Sequence, residues 1–385
     1  MSRTCIVATS LIISVVLAGF TTGPLFAGQD NRDIRTVDHY LSHTSTAPAI
    51  RGEQVTLYLR ERSLANLASQ SASLEGKVVV FVHGAALGST GAFDAPYQDY
   101  SWMAFLAQAG FDAFGLDLTG YGFSTRPGPM NDPCNLDPEQ QATLVPALHV
   151  ETCPGTKPVQ IDTLRSDWDD VDAAVNFIRD LRHVERVSLV GWSYGGSIIG
   201  GYAVGHPDKV DRLVMLSPAY DRDHPDASTP EAPASAPPMF LQTADTVPSF
   251  WDPQVQCSDQ VDPGIRDALW QEGVAADAVS WAPGLRRVPT FPTWFWNRSI
   301  AARVQAPTLV VEGEFDHMSP GTIPDAIRAA YADLGTPSKV YVDLACSSHF
   351  AQWETRHLAM FQASLEWLRG GSVSGLSAGI VRLGD

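Results

Sequence analysis

One five-residue pattern constrains the fold of this chain most strongly: Gly-Trp-Ser-Tyr-Gly at positions 191–195, directly after the apolar run 187–190. An apolar run followed by a small-residue turn is typical of a strand that bends sharply into a helix. Side chains on the residues two positions either side of Ser193 would collide in such a turn, which explains the glycines Gly191 and Gly195. The pattern therefore predicts that Ser193 lies on a strained strand-to-helix turn with its hydroxyl exposed.

A Gly-x-Ser-x-Gly pattern also occurs by chance, as a tight glycine turn without a catalytic role. The strand pattern before Ser193 and the small residues at 196–201 favour the functional interpretation, because a helix of small residues can pack closely against a sheet. A serine hydroxyl is a poor nucleophile unless a histidine base and an orienting carboxylate assist it. The hypothesis therefore requires a histidine and an acid further along the chain.

Strand and helix patterns alternate along most of the chain. Continuous apolar runs are typical of parallel strands buried on both faces, whereas the alternation at 55–59 predicts an antiparallel strand with one buried face. Further strands are predicted at 77–82, 111–118, 187–190, 212–216, 307–311 and 339–344, and helices at 101–109, 162–182 and 355–368. This order predicts an α/β fold in which a mostly parallel sheet is flanked by helices.

Two stretches interrupt this alternation. Residues 125–161 are rich in Pro, Asn and Asp and are predicted to form a long loop. Residues 221–300 begin with a Pro- and Ala-rich run and then carry many aromatic side chains, namely Phe250, Trp251, Trp270, Trp281, Phe291, Trp294, Phe295 and Trp296. Such a cluster is more often ordinary core than a ligand surface, but its position between strands of one sheet favours a lid over the active site. The predicted core thus comprises 28–220 and 301–370, followed by a flexible tail at 371–385.

The N-terminus has the pattern of a secretory signal peptide at 1–27. Arg3 provides a short positive region, residues 6–20 are apolar, and Ala27 is a suitable cleavage position. The alternative is an uncleaved membrane anchor, but the apolar stretch is short and interrupted for a membrane span. We therefore predict a secreted or periplasmic protein whose mature chain starts near Gly28 and makes no stable membrane insertion.

Export would place the cysteines in a compartment where they form disulfides. Removal of Cys5 with the signal peptide leaves four, an even number in an oxidising compartment. Three pairings are possible. We favour Cys134–Cys153, which closes a local loop, and by elimination Cys257–Cys346, which would tie the 221–300 stretch to a candidate catalytic loop. The cysteines lack the spacing of metal ligands, so no metal and no cofactor are predicted.

The charge balance excludes one class of partner. The net charge is −17, and no cluster of Lys and Arg is present to contact phosphates. Binding to nucleic acid is therefore excluded, and anionic membrane surfaces are disfavoured for the same reason.

Two further residues meet the requirement set by the serine. Reacting groups collect at the carboxyl ends of the strands in an open parallel sheet. Asp316 follows the strand predicted at 307–311, and His349 follows the strand predicted at 339–344. With Ser193 they occur in the order Ser, Asp, His that this type of turn predicts. The weaker alternatives are the acids Glu312, Glu314 and Asp221 and the histidines His206, His317 and His357.

Acyl transfer also needs donors for the developing oxyanion, usually two backbone N–H groups. Tyr194, directly after the nucleophile, supplies one of them from a helix N-terminus. The loop after the strand at 77–82 supplies the other, which we assign to Ala85 with Ala86 as the alternative. His83 is predicted to brace this loop by hydrogen bonding rather than to transfer a proton.

On these residues the chain resembles the lidded esterase and haloperoxidase-like members of the α/β-hydrolase family. The matching positions are His83-Gly84, 117–124, 191–195, 313–316 and His349. The resemblance implies an eight-stranded, mostly parallel sheet with a lid inserted after the sixth strand. Gly84, Gly191 and Gly195 are assigned as supporting residues of the site. The loop at 125–161 departs from the family pattern. Relatives with Asp at the nucleophile position are dehalogenases and epoxide hydrolases, and Ser193 argues against both.

The leading hypothesis is an exported serine hydrolase that cleaves carboxylic esters, with a small-molecule or polymer ester as substrate. The aromatic stretch favours apolar or aromatic groups on that ester. Lactone opening, amide or peptide cleavage, C–C cleavage of diketones and perhydrolysis use the same three residues, since fold and triad do not fix the substrate. A binding module on a hydrolase fold is the non-enzymatic alternative, but such modules usually lack a member of the triad. No pattern indicates an oligomeric state.

Overall fold

The computed structural model describes residues 33–67, 73–144, 151–156, 160–223, 238–277, 284–287, 296–318 and 325–385. The predicted signal peptide lies outside these residues, as do Trp281, Phe291, Trp294 and Phe295 of the 221–300 stretch, which we call the insertion. Across the described ranges, none of the helices combines the length and the hydropathy that a membrane crossing requires.

The secondary structure begins with two long strands and continues as alternating strands and helices. The strands are β1 (Ile34–Thr44), β2 (Gln54–Leu64), β3 (Val78–Val82), β4 (Asp112–Asp117), β5 (Val187–Trp192), β6 (Val210–Leu216), β7 (Phe240–Gln242), β8 (Leu285–Arg287), β9 (Thr308–Gly313), β10 (Lys339–Leu344) and β11 (Gly379–Leu383). The helices are α1 (Ser89–Phe93), α2 (Trp102–Gln108), α3 (Pro138–Ala142), α4 (Leu164–Arg182), α5 (Tyr194–Gly205), α6 (Thr246–Trp251), α7 (Ile265–Ala276), α8 (Arg298–Ala301), α9 (Ala326–Asp333) and α10 (His357–Gly370).

Nine of these strands form one sheet in the order β1-β2-β4-β3-β5-β6-β9-β10-β11. The pairs β1–β2 and β2–β4 are antiparallel, and every other pair is parallel. All five residues of β3 are buried, as its continuous apolar sequence predicts for a central strand with helices on both faces. The mostly parallel α/β architecture is therefore confirmed. The carboxyl ends of β3, β5, β9 and β10 lie along the same edge of the sheet.

The ninth strand corrects two predictions. The resemblance implied eight strands, and residues 371–385 were expected to form a flexible tail. Instead, β11 pairs in parallel with β10, and Arg382 forms ion pairs with Asp343 at 2.9 Å and with Glu314 at 3.0 Å. Val373, ahead of this strand, is also buried. The Gly- and Ser-rich composition obscured a short apolar segment that completes the edge of the sheet.

Helix α5, which follows Ser193, owes its close packing to glycines. A Cβ atom on Gly200 would lie 2.5 Å from the ring of Trp296, and one on Gly201 would lie 2.4 Å from the ring of Trp168. Trp168 also donates a hydrogen bond to the Ile198 carbonyl at 3.0 Å. Trp296, one of the aromatic residues of the insertion, is thus a core residue packed against the helix of the candidate nucleophile.

Both favoured disulfides are present. Cys134–Cys153 closes part of the 125–161 loop, with a sequence separation of 19 residues. Cys257–Cys346 spans 89 residues and joins the insertion to the segment three residues before His349. Because Cys346 lies two residues after the end of β10, in the loop that carries His349, this second bond limits how far the insertion and that loop can separate.

The two disulfides give a matched pair for a stability measurement. A disulfide stabilises the folded state by lowering the conformational entropy of the unfolded chain, and this stabilisation grows with the length of the closed loop. It amounts to about 3 kcal/mol for the shorter loop and about 4.5 kcal/mol for the longer one. Replacing Cys257 and Cys346 with serine is therefore expected to lower the free energy of unfolding more than replacing Cys134 and Cys153. Urea denaturation of both double variants measures this difference. A larger loss from the shorter loop would contradict the prediction.

Candidate active site

Ser193 lies between β5 and α5 with backbone angles of φ 56° and ψ −118°, a strained conformation for a residue with a side chain. Its N–H donates to the Leu216 carbonyl at 2.9 Å. A Cβ atom on Gly191 would lie 2.5 Å from the Gly195 oxygen, and one on Gly195 would lie 2.1 Å from the Val82 oxygen. Both glycines are therefore sterically required, and the turn has the geometry that the sequence predicts.

The structure brings His349 and Asp316 together across the ends of β10 and β9. The His349 Nδ1 atom lies 3.1 Å and 3.0 Å from the two carboxylate oxygens of Asp316. Trp192, beside the nucleophile, donates from its indole nitrogen to the His349 carbonyl at 2.9 Å. A carboxylate only accepts hydrogen bonds, so Nδ1 carries a proton and Nε2 is the nitrogen left for another partner.

Asp316 remains ionised despite its burial. Burial raises the pKa of this carboxyl, but the neighbouring His349 and the hydrogen bonds from His349 and from the Met318 N–H outweigh that effect and lower the pKa below its usual value. The site therefore holds a buried negative charge next to the imidazole.

The alternative acids and bases have other partners. Glu312 is hydrogen bonded to Tyr341, and Glu314 accepts from the Cys346 N–H at 3.0 Å. His357 contacts Asp99 at 3.2 Å, and His206 contacts the Tyr202 carbonyl at 3.2 Å. Within the described ranges, no hydrogen bond or ion pair joins the side chain of Asp221 or His317 to His349 or Ser193. Asp316 and His349 thus remain the candidate acid and base for Ser193.

Ser193 and His349 line one cavity of about 110 Å³. Its wall includes both candidate oxyanion-loop residues, Ala85 and Ala86, together with Trp192, Phe240, Gln242, Thr246, Val247, Phe250, Met318 and Phe350. Among the described residues, no hydrogen bond joins the Ser193 hydroxyl to the His349 ring, a separation that often closes only when substrate is present. Most of the wall is apolar.

The oxyanion loop after β3 is fixed by His83. The Leu118 N–H donates to Nε2 of His83 at 3.1 Å, so Nδ1 carries the proton and donates to the Gly84 carbonyl at 2.7 Å. Burial lowers the pKa of His83 to about 4, which keeps the ring neutral. Because a peptide group is planar, fixing the Gly84 carbonyl also fixes the direction of the Ala85 N–H. The Tyr121 hydroxyl donates to the Ala85 carbonyl at 3.2 Å and fixes the next peptide.

A glycine in this loop and the N-terminus of α5 complete the surroundings of Ser193. A Cβ atom on Gly84 would lie 3.1 Å from the Trp192 oxygen and 3.2 Å from the Ser193 Cβ, so a side chain there would push the loop away from the nucleophile. Tyr194 is the first residue of α5, and its N–H therefore has no acceptor within the helix. The structure thus places Gly84, Ala85 and Tyr194 around Ser193.

Gln254 is a site residue that the sequence did not reveal. This buried residue of the insertion accepts hydrogen bonds through Oε1 from the N–H groups of His349 and His317, each at 3.2 Å. It therefore holds the loops after β10 and β9 together. A glutamine in an aromatic-rich stretch carries no sequence signal for such a role.

A cluster of buried ion pairs also connects the insertion to the candidate oxyanion loop. Asp277 forms ion pairs with both Arg126 and Arg287, and all three side chains are at most 6% exposed. Arg287 also donates to the Ala86 carbonyl at 2.9 Å, and its guanidinium lies 5.1 Å from the centre of the Tyr121 ring. Burial lowers the pKa of Arg287 to about 10. One carboxylate is thus shared between an arginine of the long loop and an arginine of the insertion.

Three carboxyl groups lie buried at and just before the start of α4. Asp167 and Asp170 share one face of α4, Asp162 lies just before it, and the Tyr194 hydroxyl donates to Asp167. Burial raises the pKa of each, to about 7 for Asp170, and the mutual repulsion of the charges adds to the effect for Asp162 and Asp167. The sequence gives no sign of this cluster, because acids on a helix usually face solvent.

This cluster predicts a pH-dependent stability. The folded-state pKa of Asp167 is raised above the value of about 4 in the unfolded chain, so its contribution is complete below about pH 4 and is lost as pH rises through the folded-state pKa. Asp167→Asn keeps an acceptor for Tyr194 and cannot ionise. Between pH 5 and pH 8.5 we expect the variant to gain at least about 1.4 kcal/mol of unfolding free energy relative to the wild type, the equivalent of one pKa unit.

Urea denaturation at several pH values measures this gain. The exposed Asp208 offers a control, and Asp208→Asn is expected to follow the wild-type profile. Identical profiles for Asp167→Asn and the wild type would show that Asp167 does not carry the raised pKa.

No arrangement for a metal ion is found in the part of the chain that the structure describes: no three His, Cys, Asp or Glu side chains there are grouped to hold one.

Comparison with known proteins identifies the fold. A sequence profile for the α/β-hydrolase fold matches residues 77–258, which include the Ser193 turn and precede Asp316 and His349. No curated protein matches the chain.

Several solved structures are similar over most of the chain. The 2-hydroxy-6-oxo-6-phenylhexa-2,4-dienoate hydrolase from Rhodococcus sp. strain RHA1 is 16% identical; the match covers 88% of this chain and 100% of that one, with a TM-score of 0.51. A bromoperoxidase from Bacillus anthracis is 14% identical, with coverages of 86% and 99% and a TM-score of 0.50. A thermophilic esterase from Thermogutta terrifontis is 19% identical, with coverages of 86% and 98% and a TM-score of 0.47. At these identities the similarity concerns the fold alone.

Proposed function

The chain has the α/β-hydrolase fold, and on that premise we propose that it is a serine hydrolase that cleaves carboxylic esters with apolar or aromatic groups. One observation carries the proposal. The strained Ser193 lines the same mostly apolar cavity as His349, whose ring is hydrogen bonded to Asp316. Fold alone does not fix the reaction, so the assignment rests on this geometry.

In the proposed mechanism, Ser193 Oγ attacks the ester carbonyl while Nε2 of His349 accepts the hydroxyl proton. Asp316 holds the Nδ1 proton and stabilises the imidazolium that forms. The backbone N–H groups of Ala85 and Tyr194 bind the developing oxyanion. His349 then gives its proton to the leaving alcohol, which departs and leaves an acyl-enzyme.

The second half of the cycle reverses these roles. His349 takes a proton from water, the hydroxide attacks the acyl carbon, and the carboxylic acid leaves as the proton returns to Ser193. The neutral His83 takes no part in this transfer. Its role is to hold the Gly84–Ala85 peptide so that the Ala85 N–H needs no reorientation when charge develops.

We propose further that the insertion acts as a lid. Phe240, Val247 and Phe250 belong to it and form part of the wall of the cavity that holds Ser193. Gln254, also in the insertion, bonds to the His349 backbone. These contacts support a substrate with apolar or aromatic groups, since the insertion contributes mainly apolar surface. The two disulfides support export to an oxidising compartment.

A fluorophosphonate probe tests the proposal, because it reacts with a serine that a neighbouring base activates. We expect one adduct on the wild-type protein, located at Ser193 by mass spectrometry, and none on Ser193→Ala. The exposed Ser374 is a matched control, since its φ of 48° is also positive. Ser374→Ala is expected to be labelled like the wild type. Labelling at a different serine, or no labelling of the folded protein, would overturn the proposal.

A further inference from the structure

A second, larger cavity adjoins the one that holds Ser193. Its volume is about 240 Å³, compared with about 110 Å³ for the first cavity. Gln242 and Val247 line both cavities and so form the wall between them. An apolar cavity of about 150 Å³ holds a benzene molecule, so the larger cavity can accommodate an aromatic ring with a short linker.

Three tryptophans form much of the wall of the larger cavity, which also includes Asp245, Arg266 and Asp267. Trp251, Trp270 and Trp353 line it together with Leu87 and Leu269. Trp251 is fixed by a hydrogen bond from its indole nitrogen to Glu354 at 2.7 Å. Arg266 also lines the cavity, but its guanidinium lies 5.0 Å over the Trp251 ring and forms an ion pair with Asp252 at 2.6 Å. Its charge is therefore partly compensated outside the cavity.

The dividing wall contains an unusual polar group. Gln242 is 2% exposed, and its side-chain nitrogen Nε2 has no hydrogen-bond partner among the described residues. A buried donor without a partner destabilises the fold, and native proteins rarely leave one unused. Gln242 is held in place at the end of β7, where it pairs with Leu285 of β8, and its neighbour Leu241 is hydrogen bonded to Gln140.

The chemistry of the wall defines what this donor can bind. The two residues shared by the cavities, Gln242 and Val247, carry no charge, so a neutral acceptor suits the position better than an anion, whose burial is costly without a counter-charge. An amide N–H donates to a carbonyl oxygen with good geometry. In a substrate that fills both cavities, the acceptor must lie between the part next to Ser193 and the part in the larger cavity.

We propose that the two cavities form one substrate site and that Gln242 determines its specificity, by donating a hydrogen bond to a neutral carbonyl oxygen between the scissile ester and a remote aromatic ring. The ring occupies the larger cavity between Trp251 and Trp270. The substrate class is thus a keto ester that ends in an aryl group. This inference rests on the proposed ester hydrolysis at Ser193 and adds to it the identity of the remote part of the substrate.

Binding can be tested without catalysis. Calorimetric titration of the Ser193→Ala protein with methyl 4-oxo-4-phenylbutanoate and with methyl 4-phenylbutanoate compares two esters that differ only in the ketone. We expect the ketone to bind about tenfold more tightly, because it satisfies a buried donor that the hydrocarbon leaves unpaired. Adding Gln242→Leu, which removes the donor at similar volume, is expected to reduce this preference to less than twofold. Equal affinities in the Ser193→Ala protein would overturn the inference.

Hydrolysis by the Ser193-containing protein provides the second readout. The ratio of kcat/KM for the two esters is expected to be about tenfold in the wild type and below twofold in Gln242→Leu. Gln362→Leu, an exposed glutamine on α10, is the matched control and is expected to keep the wild-type ratio. Trp270→Ala is expected to lower kcat/KM for both esters by a similar factor. If Gln242→Leu does not fold, Gln242→Met removes the same donor with a flexible side chain.

The outcomes separate the two proposals. If the Ser193→Ala protein shows the tenfold binding preference but the wild type hydrolyses neither ester, the result would contradict the proposed ester hydrolysis and support the proposed two-cavity binding site. Hydrolysis of both esters without preference would support the proposed function and overturn the role of Gln242. A preference that persists in Gln242→Leu would also overturn it.

Discussion

Ser193→Ala is expected to lower kcat for ester hydrolysis by about 10⁶-fold, the loss that follows when a serine nucleophile of this type is removed. Without Oγ no acyl-enzyme forms, and the remaining rate comes only from the oxyanion donors and from substrate binding. The variant is expected to fold, because alanine and serine meet the same backbone strain at a φ of 56°. Release of nitrophenol from a nitrophenyl ester, with circular dichroism to confirm folding, measures both expectations.

Ser374→Ala serves again as the control, since it removes a hydroxyl from a second serine with positive φ, in the segment between α10 and β11. Its kcat is expected to stay within about twofold of the wild type, as for most exposed substitutions. Turnover by folded Ser193→Ala at more than one hundredth of the wild-type rate would show that another group is the nucleophile.

Asp316→Asn is expected to lower kcat by about 10⁴-fold. In the wild type the carboxylate accepts the Nδ1 proton of His349 and leaves Nε2 free to accept the proton of Ser193. An asparagine amide can present an N–H to Nδ1, which would place the proton on Nε2 and disable it as a base. Steady-state kinetics with the same nitrophenyl ester, with binding of the ester to the inactive protein as a second readout, measures the effect.

Glu314→Gln provides the contrast for this experiment. Glu314 also follows β9 and is an acid that the sequence leaves as an alternative, but it bonds to Cys346 and Arg382 instead of His349. We expect Glu314→Gln to retain activity within about twofold. If Glu314→Gln lost activity and Asp316→Asn kept it, the assignment of the acid would be wrong.

The sequence indicates the central part of the fold because its signals are local. The apolar runs of β3, β9 and β10 are buried on both faces, so each strand can be identified from its own residues. The position of Ser193 between glycines is equally local, since the clashes that require those glycines arise within one turn and its neighbouring strand. The hydrogen bond between His349 and Asp316 then follows from two strand ends that share an edge of the sheet.

The features that the sequence does not indicate depend on distant partners. β11 is short, and its stability depends on its parallel pairing with the edge of β10. The carboxyl of Asp167 has a raised pKa because α5 and the Tyr194 hydroxyl cover it, although its place on an amphipathic helix suggests solvent exposure. The roles of Gln254 and Gln242 are also decided across the fold, since neither residue type nor spacing identifies their partners.

The shared carboxylate of Asp277 restricts how this protein can be recombined with relatives. The insertion supplies Asp277 and Arg287, while the loop after β4 supplies Arg126. A chimera that exchanges the insertion alone would remove the Asp277 carboxylate that pairs with the buried Arg126, and breaking a buried ion pair by removing one partner typically costs about 3–5 kcal/mol. The 125–161 loop and the insertion therefore form one transplantable unit. Libraries that vary substrate preference by exchanging the insertion should move both segments together.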